Sequence, residues 1–199
     1  MGIIKHILLT IRHKYFVFLY AVHLGIPCIG FMHDWSKFSW EELITSGKYY
    51  LGTQSPQILE RNANDDYSLV SIHHTGHNKH HWQYWVDYRK ENTLVYCIPY
   101  KYAVEYVCDS LSASRVYNGK HHDKGDAYTY FNNYCDKCMM HPAIKEFVSD
   151  CLAKYRDEGL NGLNTEFCKD TYEKCSKRYP KVIRVPMNFN GLERKGHEN

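Results

Sequence analysis

The chain has 199 residues, 44% of them hydrophobic and 15% aromatic, with a net charge of +3. That length suits one domain with a sizeable core, the apolar content excludes intrinsic disorder, and the small positive charge is too weak for a protein that lives on nucleic-acid phosphates. Eight cysteines scattered along a chain of this size read as reduced thiols rather than a disulfide framework, so a cytoplasmic protein is expected.

In chain order, the first predicted element is a helix from about Ile3 to Leu24, stopped by Gly25 and Pro27. Residues 15–32 contain no Lys, Arg, Asp or Glu. His23, Gly25 and Pro27 interrupt that run and no small-residue cleavage site follows it, so a buried helix is expected and neither an anchor nor a signal peptide. "SWEE" at Ser39–Glu42 is a capping box that starts a second helix. "SPQILERNANDDYSLVSIHH" reads as a third. Pro99 opens "PYKYAVEYVCDSLSASRVY", whose apolar residues recur at helical spacing, and Pro142 opens "HPAIKEFVSDCLAKYRDEGL", with Gly159 as its terminator. From Pro180 onward a tail is expected. The fold class is all-α, a single helical domain over residues 1–160 with residues 161–199 as a C-terminal helix and tail packed on it.

"HHTGHNKHHWQYW", residues 73–85, holds five of the 13 histidines and three aromatics. On one continuous helix His73, His77, His80 and Tyr84 share a narrow arc, with His74, His81 and Trp85 beside it. Gly76 and Asn78 leave a second geometry open, helix, turn and helix, with His80 and His81 near a helix start where amides favour an anion. Trp82, Tyr84 and Trp85 at such spacing belong to a core more often than to a base-stacking surface.

Imidazole clusters become metal sites when carboxylates join them. "FMHDWSKFSWEEL" supplies the adjacent pair His33 and Asp34, "RHKYFV" supplies His13, and Asp109 sits inside the apolar helix "YAVEYVCDSLSAS", where a carboxylate needs a cation or a hydrogen-bond partner. "CDKC" (Cys135, Cys138) followed by His141 has ligand-like spacing but lacks a partner pair, so two loop thiols are the expected reading. No G-x-S-x-G nucleophile motif is present.

The order His, His-Asp, further His, then Asp, all on predicted helices, resembles the HD superfamily of metal-dependent phosphohydrolases. More closely, "HDWSKFSWEEL", "HHTGHNKHHWQYW" and "PYKYAVEYVCDSLSASRVYNGK" are similar to a family of small uncharacterised phage and bacterial proteins, over residues from about 6 to 160. The HD resemblance implies an HD-like helical bundle with His13, His33, Asp34 and Asp109 as ligands of a divalent metal, Mn, Fe, Co or Zn. It places His77, His80 and His81 where HD enzymes hold a second metal or touch phosphate. Many HD nucleotidases carry a glutamate three residues after the Asp; here that position is Lys37.

The function expected on this basis is hydrolysis of a nucleotide or related phosphoester. Asp34, Lys37 and His80 would serve catalysis, and Lys37, His77, His81 and Arg115 would bind substrate. Arg115 has the rival reading of a solvated helix charge. Two alternatives stand beside the enzyme: a protein that binds a nucleotide without turnover, and one in which a metal only ties helices together. The partner expected is a small nucleotide or phosphoester, with a homo-oligomer as a further candidate and no membrane.

Overall fold

The computed structural model describes residues 2–52 and 55–186. Helix α1 (Gly2–His23) ends where Gly25 adopts a positive φ of 78°, and Pro27 then starts the short α2 (Pro27–Met32). A 3-10 turn (Trp35–Phe38) leads to α3 (Trp40–Tyr49), whose amino end is capped by Ser39 accepting from the Glu42 amide.

The single helix expected over residues 55–74 is two, α4 (Pro56–Ala63) and α5 (Leu69–His77). Asn64 closes α4, and Asp65 and Asp66 take φ of 49° and 65°, a left-handed corner that no helix contains. Glu60 holds that corner: its carboxylate accepts from the Ser68 hydroxyl and from the first amides of α5, Leu69 and Val70.

The histidine-rich segment is not one helix either. α5 stops at His77 because Asn78 caps its carboxyl end, the Asn78 amide and side chain both donating to the His74 carbonyl. Asn78 therefore ends a helix instead of starting one. Residues 79–81 run on to a 3-10 turn (Trp82–Trp85) and then to strand β1 (Val86–Tyr88). β1 pairs antiparallel with β2 (Asn92–Tyr96), and β2 pairs antiparallel with β3 (Val182–Pro186) in the register Leu94↔Arg184. A mostly helical chain thus carries a small three-stranded sheet, and the tail expected from Pro180 supplies its third strand. In β2, Thr93 and Val95 are buried and alternate with half-buried neighbours, a period of two that the residue types Asn-Thr-Leu-Val-Tyr do not themselves show.

α6 (Tyr100–Asn118) is the central helix; α7 (Asp126–Tyr134), α8 (Pro142–Gly162) and α9 (Thr165–Lys177) follow it. Val104, Val107, Cys108 and Leu111 of α6 pack in one core with Val17 and Leu24 from the α1 end, Phe131 of α7, Phe147 and Leu152 of α8, and Cys168 of α9. Gly159 takes φ of 65° inside α8, so the expected terminator makes a break after which one more helical turn runs to Gly162. α8 crosses the boundary expected at residue 160, α9 packs on α8, and the part of the tail from 187 onward lies outside the described residues. None of the described helices is long and apolar enough to cross a membrane. α1, the helix expected to be buried, is buried on one side only: His6, Thr10, His13, Val17, Tyr20 and Ala21 face the domain, while Ile4, Leu8, Ile11 and Tyr15 face outward.

Candidate metal centre and cleft

Four elements bring their polar residues to one point. α1 presents His13 from its inner stripe, and the link after α2 presents His33 and Asp34. α5 and the turn after it present His74, His80 and His81, and α6 presents Glu105, Asp109 and Ser112, spaced four and three apart on one side of the helix. Asp34 stands at the middle in a left-handed conformation, φ 51° and ψ 35°, a backbone state that residues other than Gly adopt at a cost and that clusters at functional positions.

Each oxygen of Asp34 faces a different histidine group. Oδ2 lies 3.2 Å from His33 Nε2, and Oδ1 lies 3.6 Å from both His74 Nε2 and His80 Nε2. Around the first oxygen, His13 Nε2 is 3.3 Å from His33 Nε2 and 3.0 Å from Asp109 Oδ1. Three groups of donor atoms converge closely enough to hold a metal ion: two sets of four that share Asp34, His13, His33, Asp34 and Asp109 in one and Asp34, His74, His80 and His81 in the other, and a group of three, His33, His80 and Glu105.

The far nitrogens of the rings are held from behind. Ser112 donates its hydroxyl hydrogen to the His13 carbonyl, so its 3.1 Å contact with His13 Nδ1 requires that ring nitrogen to donate. Glu105 Oε1 accepts from His33 Nδ1 at 2.9 Å and lies 3.2 Å from His80 Nδ1. Glu42 accepts from His74 Nδ1 at 3.0 Å and from His73 Nδ1 at 2.7 Å. With Nδ1 donating outward, His13, His33, His74 and His80 turn Nε2 inward, as carboxylates and hydroxyls behind metal-bound histidines do.

The inward atoms lack what burial ordinarily demands. Both Asp34 oxygens and the Nε2 atoms of His80 and His81 are buried without a hydrogen-bond partner, although the Lys37 ammonium stands at ion-pair distance, 2.5 Å from Asp34 Oδ2. Such orphans are expensive unless a cation or ligand completes them. Burial pushes the Asp34 and Asp109 carboxyls up, but the histidines around both, and Lys37 beside Asp34, outweigh burial and hold them well below the usual carboxylate range. Burial likewise opposes the charge on His33 and Lys37, yet Asp34 and Asp109, with Glu105 at His33, hold both above their ordinary values. Burial lowers His13 to about 4, and burial together with His80 and His74 keeps His81 neutral. Three carboxylates, Asp34, Asp109 and Glu105, thus hold protons on the adjacent His33 and Lys37, a set that suits a cation.

A cleft of about 680 Å³ opens over this centre, within the size range of small-molecule sites. Lys37, His6 and Arg61 line it beside Tyr117, while Trp82 and Tyr134 line it beside Tyr106. Of the residues expected to bind substrate, Lys37 and His81 line this cleft. His77 does not: it is exposed, stacked on His73 at 4.0 Å, with Nδ1 bonded to the His73 carbonyl. Arg115 points away from it and lies over the Phe16 ring at 4.3 Å, the solvated-charge alternative. His80 is 1% exposed and sits among the inward donors instead of at the cleft wall. Tyr84 and Trp85 lie outside the cleft, Trp85 donating to the Lys79 carbonyl and packing near Tyr102.

Cys135 and Cys138 gain no third ligand among the described residues. His141 spends Nε2 on the Pro180 carbonyl and Nδ1 on the Ala143 amide, capping α8.

Residues 2–154 match a family of unknown function, DUF5662. The chain belongs to that family. The matched stretch contains every donor of both sets and most of α8, and leaves out α9 and β3. No curated protein and no solved structure matches the chain.

Glu42, Glu105, His74 and His6 were not singled out by the sequence reading. Glu105 had a usable signal, standing four residues before Asp109 on the same helical face. His74 was obscured by an arc drawn through His73 and His77 on a helix assumed to continue.

Proposed function

We propose that this protein is a metal-dependent phosphohydrolase of HD-like type, acting on a nucleotide or related phosphoester. The observation that carries this reading is the set of four histidines with Nδ1 engaged outward and Nε2 turned inward, His33, His74 and His80 toward the oxygens of Asp34 and His13 toward Asp109. His13, His33, Asp34 and Asp109 would hold one divalent ion, and Asp34, His74, His80 and His81 a second. A cation bound there supplies a water of lowered pKa and a Lewis acid for a phosphoryl oxygen.

The protein's own groups do the rest. Lys37, kept charged by Asp34 and Asp109, neutralises phosphate oxygens as they gain charge. His81, kept neutral by burial and its neighbours, has a free lone pair with which to complete the second set of ligands at the edge of the cleft. Arg61, held by the Ser71 hydroxyl, supplies a forked donor for phosphate further along the cleft. Glu105 and Glu42 fix the orientation of the rings from behind.

One observation favours a second reading. The Lys37 ammonium already stands against Asp34, so the cluster also works as a metal-free ion network tying these helices together. Metal content separates the two. The protein is purified without affinity histidines, alongside His33→Ala and Asp109→Ala, and assayed for bound metal and then for phosphate release from nucleotides. Near-stoichiometric metal, lost in both variants, with phosphate released supports the hydrolase. No metal and no uptake of manganese, iron, cobalt or zinc sinks it. Metal and nucleotide binding without product leaves a binding protein.

A further inference from the structure

α1 carries a stripe on each of two opposite sides, the inner one polar at His6, Thr10 and His13 and apolar at Val17, Tyr20 and Ala21, the outer one apolar throughout. The inner one belongs to the domain. On the outer one, Ile4, Leu8, Ile11, Tyr15, Phe18 and Val22 are 68, 61, 51, 58, 36 and 50% exposed. Their spacing is four, three, four, three, four, the alternation of a helix seam that pairs with another helix. An apolar helix side is ordinarily covered. Among the described residues of one copy, nothing covers this one.

We propose that the outer face of α1 is the interface with a second copy of this chain, the two α1 helices lying side by side and parallel about a two-fold axis. Size, charge and register agree. The helix has 22 residues, so the seam is about 33 Å long; with exposed Phe31 and Trp35 on the flank where α2 packs, it is about two helix widths across, roughly 650 Å² per copy. Two copies then bury about 1,300 Å², above the roughly 1,000 Å² that a specific interface needs.

Charge selects the parallel arrangement. Residues 2–33 contain no Asp or Glu, so no acid is available to offset the basic residues beside the seam. In a parallel pair the flanking positions bring Ile7 of one copy to Arg12 of the other, and Lys14 to Leu19, and no like charges meet. An antiparallel pair sets Arg12 against Arg12 and Lys14 against Lys14. Both basic side chains also fold back from the seam, Arg12 over Phe16 at 5.9 Å and Lys14 over Trp35 at 4.9 Å. The metal centre lies on the opposite side of α1, so each copy keeps its own cleft.

The test is the solution mass of the full chain, by light scattering and sedimentation equilibrium, with Leu8→Glu and Ile11→Glu beside it. The expected mass is twice the 23.6 kDa of one chain, halved in each variant with unchanged circular dichroism, because both side chains are solvent-exposed in the single copy. A chain that stays monomeric up to the highest soluble concentration overturns the proposal. So does a dimer that survives both glutamates. A monomer that sediments with anionic phospholipid vesicles overturns it in favour of a membrane surface. Orientation is read from Ile4→Cys in a Cys28→Ser background: a short bismaleimide links two copies across a parallel seam, whereas in the antiparallel pair the two thiols lie about 27 Å apart along the axis, so a persisting dimer that it fails to link overturns the parallel arrangement.

Discussion

His33 and His141 are both completely buried, 0% and 1% exposed, and they use their nitrogens in different ways. His141 gives both to the backbone, accepting from the Ala143 amide and bonding the Pro180 carbonyl, and so caps α8 and pins the approach to β3. His33 gives Nδ1 to Glu105 and keeps Nε2 for the centre, as His13, His74 and His80 do. Both stood next to candidate metal partners in the sequence, Asp34 for one and the Cys135–Cys138 pair for the other. What separates a metal-site histidine from a structural one is a spare nitrogen aimed at other spare donors.

The comparison is broken most severely at Asp34, which both donor sets share. Asp34→Asn is expected to weaken metal binding by more than about 100-fold, beyond the roughly 10–100-fold that an outer residue commands; metal retained at wild-type occupancy by elemental analysis would remove Asp34 from the centre. Glu105→Gln comes next. It leaves the inward ligands in place but loosens His33 and His80, so metal affinity measured by competition with a chelator should fall about 10–100-fold while the fold persists.

His141→Ala inverts that pattern. Loss of its cap and of the Pro180 bond should cost about 1–2 kcal/mol in denaturant unfolding, with metal content unchanged; any loss of metal would erase the distinction drawn here.

His6 is the finest test, a buried histidine beside the centre that belongs to neither set. Burial, with Lys37 nearby, lowers it to about 4, whereas the unfolded chain titrates near the ordinary value of about 6.5. Above pH 6.5 both states are neutral and His6 has no effect. As pH falls from about 6.5 to about 4 the unfolded state binds a proton that the folded state refuses, and stability is lost. His6→Gln removes that linkage, so the melting temperature of metal-free protein should fall less between pH 7 and 4.5, by about 5–10 °C, the equivalent of roughly 2.5 kcal/mol. Equal slopes for the two proteins would show that His6 is not held neutral.

Much of this molecule was legible from local signals. Gly25 and Pro27, the Ser39 cap and Pro142 mark helix ends by dihedral and hydrogen-bond rules that act within one turn, and each stands at a helix end in the structure. The residues His13, His33, Asp34 and Asp109 stood out by order and resemblance, and the fold brings them within reach of one another. The misreadings have a common cause, a periodic pattern carried across a stop. Asp65 and Asp66 turn a corner, and Asn78 ends α5, so that His74 faces the centre and His77 faces water.

The sheet was missed because β2 finds β3 some ninety residues away, a pairing that no local window contains. By itself, the sequence determined the helical period and most caps, because these depend on neighbours a few residues apart. Only the tertiary structure decided which carboxylate stands behind each imidazole and which nitrogen is left spare, because Glu105 meets His33 across 72 residues and Glu42 meets His74 across 32, and such hydrogen bonds exist only once separate helices have packed around a shared buried space.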